Sequence, residues 1–306
     1  MTVFKVYMSF STQSEYAHGR TSYKVSKTKP RITTSAEWVA YFRQNARRQR
    51  TIHWKNGVPL SPREREDLIP SLRGWQLGET SDGAHLRAAA KDYAEKIGDP
   101  LFTEAVQLFI AEEQRHGGSL GSYLDSVGIE RAKWDWGDFL FRAIRYFLPR
   151  MEVWATPVVM VETHAMVYYN AVRKATNSVV LRTICEQILA DEAAHIRFQC
   201  ERLAILHQHR AAWLLGITKV AHRILFAGIT LAVWAGHGRA LKAGGHPFVR
   251  FWRSAWQRMR YAWRLMAPDG YEWETISGPE DSDQGIEPSS ESESEHSRFR
   301  TSVPTA

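Results

Sequence analysis

Two short segments of this 306-residue chain carry the same arrangement of metal-binding side chains. In AEEQRHGGSLGSYL (111–124), Glu113 and His116 stand three residues apart; in LADEAAH (189–195), Glu192 and His195 do the same. On a helix that spacing places carboxylate and imidazole on one face. Both faces are otherwise apolar. Phe102, Val106, Phe109 and Leu120 share the line of the first pair, and Leu181, Cys185 and Ile188 that of the second, with Gln199 continuing it. A seam of that period is the buried side of a helix in a bundle.

Each pair has a glutamate upstream. Glu79 precedes Glu113 by 34 residues and Glu162 precedes Glu192 by 30, and each is followed by a threonine. The chain thus reads as two copies of a helix bearing Glu followed by a helix bearing Glu-x-x-His. Four buried carboxylates need compensation, because the desolvation penalty is several kcal/mol per ion. The seams supply no matching set of lysines or arginines. Two divalent cations would balance four carboxylates and take two neutral imidazoles as further donors. This is the ligand pattern of di-iron and di-manganese carboxylate bundles, and its oxygen and nitrogen donors suit iron, with manganese as the alternative.

The motifs also resemble those of the soluble acyl-carrier-protein desaturases. AEEQRHGGSLGSYL is similar to that family's second-helix motif, and LRTICEQILADEAAH to its fourth helix; the likeness covers roughly residues 70–200. It implies a ferritin-like fold with Glu79, Glu113, His116, Glu162, Glu192 and His195 as metal ligands. It further implies that Asp191 orients a ligating histidine, with Glu112 in the matching place of the other half. The chain departs from the family at Ala165, where desaturases usually carry a hydroxyl, and in the Ile-Arg-Phe that follows His195. No plastid-type transit peptide is expected from residues 1–34, and the basic, Trp-rich region 202–267 is not part of the family pattern, so the resemblance carries the superfamily rather than desaturation itself. Asp82, one turn beyond Glu79, is an alternative ligand.

The elements needed to position these residues are helical throughout, since no segment alternates with strand period. The expected fold is all-α: a ferritin-like four-helix bundle with an N-terminal helix and a C-terminal helical extension. The expected divisions are an N-terminal extension (1–60), the bundle (61–209), a basic tryptophan-rich extension (210–267) and an acidic tail (268–306). Expected helices cover 35–50, a stretch from 61 to about 96 kinked near Pro70 and Gly74, 101–124, 134–150, a segment entered between Pro149 and Pro157, and one after the cap Thr176-Asn177-Ser178. Trp134, Trp136, Tyr168, Tyr169 and Cys185 read as packing residues, and Glu104 as solvated.

Net charge is +7, but residues 269–306 hold ten acidic and two basic residues, leaving 38 Lys/Arg against 23 Asp/Glu before them. Residues 202–267 contain eleven Lys/Arg, five Trp and no Asp/Glu. Such a region suits an acidic carrier protein, an anionic membrane surface, or a helix packed on the bundle through its tryptophans with its arginines solvated, and nothing in it resembles a nucleic-acid-binding module. The apolar run 224–236 is 13 residues long, short of the ~20 that cross a bilayer. Two cysteines fifteen residues apart on one helix cannot pair within it. A cytoplasmic protein, peripheral to a membrane or not, is expected. The function expected is a di-iron oxidoreductase using O2 or peroxide, with an external electron donor and a homodimer open as partners. The alternative is a metal-binding protein without substrate oxidation.

Overall fold

The computed structural model describes residues 29–56, 60–81, 83–146 and 151–273. They form helices α1 (Ser35–Ala46), α2 (Pro62–Asp67), α3 (Ile69–Glu79), α4 (Ala84–Ile97), α5 (Pro100–Ser126), α6 (Trp136–Tyr146), α7 (Met151–Ala175), α8 (Val179–His207), α9 (Ala212–Ala243) and α10 (Phe248–Leu265). No strand occurs among the described residues; a single bridge joins Arg31 to Glu272. The all-α class is as expected.

Helix starts follow local chemistry. Thr34 with Glu37, and Ser61 with Glu64, form reciprocal capping boxes at α1 and α2. Ser178 accepts the Leu181 N–H at the start of α8. Pro62 and Pro100 occupy first turns, where the missing N–H costs nothing.

The chain from 61 to 97 is not one kinked helix. It breaks at Leu68, which ends α2 and begins α3, and again after Glu79. Gly83, at φ +66°, then starts α4, in a left-handed conformation that glycine adopts without strain. Gly74 stays helical. Its missing side chain leaves room for a neighbour: a Cβ there would lie 3.1 Å from Asp135 Oδ2. Pro157 lies inside α7 rather than before it. Pro149 and Asp82 fall outside the described residues.

Helices α3, α5, α7 and α8 surround the core, whose largest sealed side chains include Phe102, Leu120, Tyr168 and Tyr169. α1 and α4 pack on α5; α9 lies along α7, and α10 along α7 and α8. His164 of α7 ties α9 in place: buried, it contacts the Met160 carbonyl at 2.6 Å and Thr230 Oγ1 at 2.9 Å. Trp256 and Trp263 of α10 pack against Phe226 with ring centroids 5.3 and 6.1 Å away. α9 exceeds the short apolar segment read from sequence. It has 32 residues, with an 18-residue window of mean hydropathy 1.4, and is long and apolar enough to cross a membrane, with 22% of that window buried. Counting only the uninterrupted run missed the flanking apolar turns between Lys219, Arg223 and the helix start.

Candidate metal centre

The six glutamate and histidine residues predicted from the sequence meet in the core. They form two overlapping groups, Glu79–Glu113–His116–Glu192 and Glu113–Glu162–Glu192–His195, each with ligand atoms all within 4.8 Å of one another. Glu113 and Glu192 belong to both. Glu79 ends α3, Glu162 sits mid-α7, and the two pairs project from the long helices α5 and α8. Glu113 is the least buried of the six, with 22% of its side chain exposed.

The hydrogen bonds leave one side of this cluster unpaired. Glu113 Oε1, His116 Nδ1, Glu162 Oε2, Glu192 Oε2 and His195 Nδ1 are buried without a hydrogen-bond partner. His195 Nδ1 and Glu113 Oε1 lie 2.7 Å apart, yet neither is aligned to bond the other. Buried polar atoms are normally satisfied, and five orphans on neighbouring residues mark a place for a cation.

On four of the six residues an outer atom is held. His116 Nε2 lies 3.0 Å from Asp191 Oδ2, and His195 Nε2 lies 3.0 Å from Glu112 Oε2. Fixing Nε2 in this way presents Nδ1 to the cluster. Tyr169 donates to Glu79 Oε1 at 2.7 Å, and Gln199 Nε2 donates to Glu162 Oε1 at 2.5 Å. The resemblance pointed to Asp191 and Glu112. Tyr169 read as packing, and Gln199 only as the continuation of a seam.

Sequence reasoning missed Asn45 altogether. Its Nδ2 donates to Glu112 Oε1 and to Asp191 Oδ1, both at 2.8 Å. Asp191 also accepts from Gln187 at 2.9 Å. Asn45 belongs to α1, remote in sequence from both carboxylates, and no local pattern connects them.

Electrostatics express the same crowding. Burial, then repulsion from Glu113, pushes the carboxyls of Glu79, Glu162 and Glu192 well above the usual range. Burial would also raise Glu113, but the His195 charge overrides it and holds this carboxyl at about 2. The His195 ring is raised well above 6.5, because Glu113 and Glu112 outweigh the burial that opposes its charge. Without an ion the site thus favours neutral carboxyls around a single Glu113–His195 charge pair; divalent ions would favour the ionised form of all four. Cys185 and Cys200 are buried free thiols, both raised by burial. The donor set therefore contains oxygen and nitrogen only.

A cavity of about 490 Å³ ends on Glu79, Glu113, Glu162 and Glu192. Its walls include Trp75, Phe109 and Ile110, Phe141 of α6, Val158 and Ala165 of α7, and Ile229 of α9. Trp136, read as packing, is 40% exposed and lines this cavity, whereas Trp134 faces solvent. Ala165 is in the wall where a desaturase would carry a hydroxyl. Thr163 does not replace that hydroxyl, since it donates back to the Val159 carbonyl and lies beside Met259. Glu104 pairs with Arg43 at the surface.

No protein-family model, curated protein or solved structure matches the chain. The fold and the cluster define an all-helical protein with a buried carboxylate–histidine site able to hold metal.

Proposed function

We propose that the chain is a ferritin-like dinuclear-metal oxidoreductase acting on an apolar substrate held beside the site. The carrying observation is the cavity: an apolar chamber that closes on four carboxylates of the cluster. A storage or transport site needs an ion path; it does not need a chamber of aromatic and aliphatic walls at the ligands.

Glu79 and His116 would serve one metal, Glu162 and His195 the other, with Glu113 and Glu192 shared between them. Two iron ions held there would supply reduction of O2 or peroxide, fed by an external electron donor. The chain's own contribution is orientation and exclusion of water. Asp191 and Glu112 fix the imidazoles, Tyr169 and Gln199 fix the outer oxygens of Glu79 and Glu162, and the apolar walls keep the reacting region dry. The lining holds six carboxylates, Asp135 and Asp138 among them, and no lysine or arginine. With the four cluster carboxylates balanced by the metals and Asp138 paired with Arg142, the described lining still offers no cation to a substrate anion, so an uncharged apolar molecule fits best.

Metal content, measured on protein loaded anaerobically with ferrous iron, tests this reading. About two ions per chain are expected, lost in the Glu113→Ala/Glu192→Ala variant, with O2 consumption by the reduced wild type alone. Wild-type protein that binds no iron, or binds it and leaves O2 untouched in the presence of reductant, would sink it.

A further inference from the structure

Helix α9 has two unlike sides. Phe226, Ile229, Thr230, Ala240 and Leu241 are buried against the bundle. On the other side stand Trp213, Ile217, Val220, Ile224 and Leu231, exposed by 70, 56, 53, 70 and 52%. At 3.6 residues per turn these five fall within about 60° of one another. Single exposed apolar residues are ordinary; an aligned stripe marks a contact surface. The stripe runs on to α10, where Leu231 shares a shallow groove with Phe248, Val249, Trp252 and Arg253.

Two observations identify what covers it. Residues 202–267 carry no Asp/Glu and, besides the buried Arg202 and the ion-paired Arg210 and Arg239, eight further Lys/Arg, of which Arg253 lines the groove; this matches an anionic surface. The stripe also joins the cavity: Ile224, one of its most exposed members, lines the chamber together with Gly228 one turn on. We infer that this face seats on an anionic lipid bilayer, and that the cavity admits an uncharged apolar molecule dissolved in that bilayer, past Ile224 and Gly228. The docking stands independently; the fate of the molecule rests on the oxidoreductase reading above.

α9 lies on the bilayer in this arrangement and does not cross it. Its other side is committed to α7 through the His164–Thr230 contact and the packing of Phe226. One apolar face with cations nearby is the form of an interfacial helix. An acidic carrier protein fits less well, because the stripe itself is uncharged and the cavity lining offers no cation to an anionic carrier arm.

The test uses the full chain with vesicles of phosphatidylcholine alone or mixed with phosphatidylglycerol. Wild type is expected to sediment with the anionic vesicles, less so at high salt. Ile217→Asp/Val220→Asp should lower partitioning about tenfold or more; Trp213→Asp serves as a second variant, with helix content checked for both. A nitroxide is then placed at Ile224→Cys or, as control, at the exposed Lys91→Cys. The native cysteines are buried, so labelling is confined to the introduced site. The label at 224 should gain collisions with O2 on vesicle addition, and the label at 91 should not.

Wild type that ignores both vesicle types, or variants that bind as well as wild type, would overturn the docking. So would a solution dimer split by the variants with no lipid binding, which makes a second copy the occupant. A label at 224 that stays aqueous in bound protein would overturn the entry route. Iron content is measured on the same samples: lipid binding without iron defeats only the oxidoreductase reading, and iron without lipid binding defeats only this inference.

Discussion

His116 on α5 is held by Asp191 on α8, and the reciprocal contact joins His195 on α8 to Glu112 on α5, each at 3.0 Å. The residue that orients each imidazole therefore comes from the other half of the repeat. Asn45 lies across the two contacts and donates to both carboxylates. The histidines are positioned as one unit.

Asn45→Ala removes both of these donors and touches no residue of the metal cluster directly. We expect metal affinity to fall by about 10- to 100-fold, with helix content unchanged. Competition against a chelator measures it. An affinity equal to wild type would show that Glu112 and Asp191 hold their positions unaided.

Gly117 follows His116, and a Cβ there would lie 2.7 Å from Thr80 Cγ2 and 3.0 Å from the carbonyl carbon of Glu79. Much of that obstruction is backbone. Gly117→Ala is expected to displace the end of α3 and with it Glu79, reducing iron content per chain despite the better helix propensity of alanine. Gly118 meets nothing within 4 Å, so Gly118→Ala is the matched control and should load normally. Equal loading of both variants would contradict the displacement.

Gly228 lines the cavity and a Cβ there meets nothing within 4 Å. Gly228→Phe should leave iron content intact and stabilise α9 by roughly 0.5 kcal/mol, while weakening binding of an apolar fluorescent probe several-fold. A probe that binds the variant as it binds wild type lies elsewhere.

His222 and His237 are both lowered from 6.5 to about 4, chiefly by burial. Below pH 6.5 the unfolded chain takes up protons that these folded rings refuse. Stability therefore falls as pH drops from 6.5 to 4 and levels off below that, by at most about 1.4 kcal/mol per pH unit for each ring. Denaturant unfolding across that window should show the slope, and His237→Gln should reduce it by one proton's share. An unchanged slope in the variant would remove His237 from the account.

The paired Glu-x-x-His segments were legible because a spacing of three residues and a helical apolar period are local properties. Glu162 was legible for the same reason, inside an apolar run. Glu79 was harder, since the period around it reads straight through a break that Gly83 and its left-handed backbone impose after the helix ends. Asn45 and the cavity walls supplied by α6 and α9 depend on contacts between segments distant in sequence, which no local pattern records. The exposed stripe was present in the sequence but hidden by counting only uninterrupted apolar residues.

The cluster is also mechanically uneven. Three of its four walls are interiors of helices of 25 to 29 residues, held by their neighbours on both sides. The fourth is Glu79, the last residue of an 11-residue helix, with a turn beyond it and the cavity beside it. A strain applied to the site from the substrate side is absorbed there first. Glu79 is the yielding jaw of a vice whose other faces are fixed, and an ion leaving or being exchanged would pass on that side.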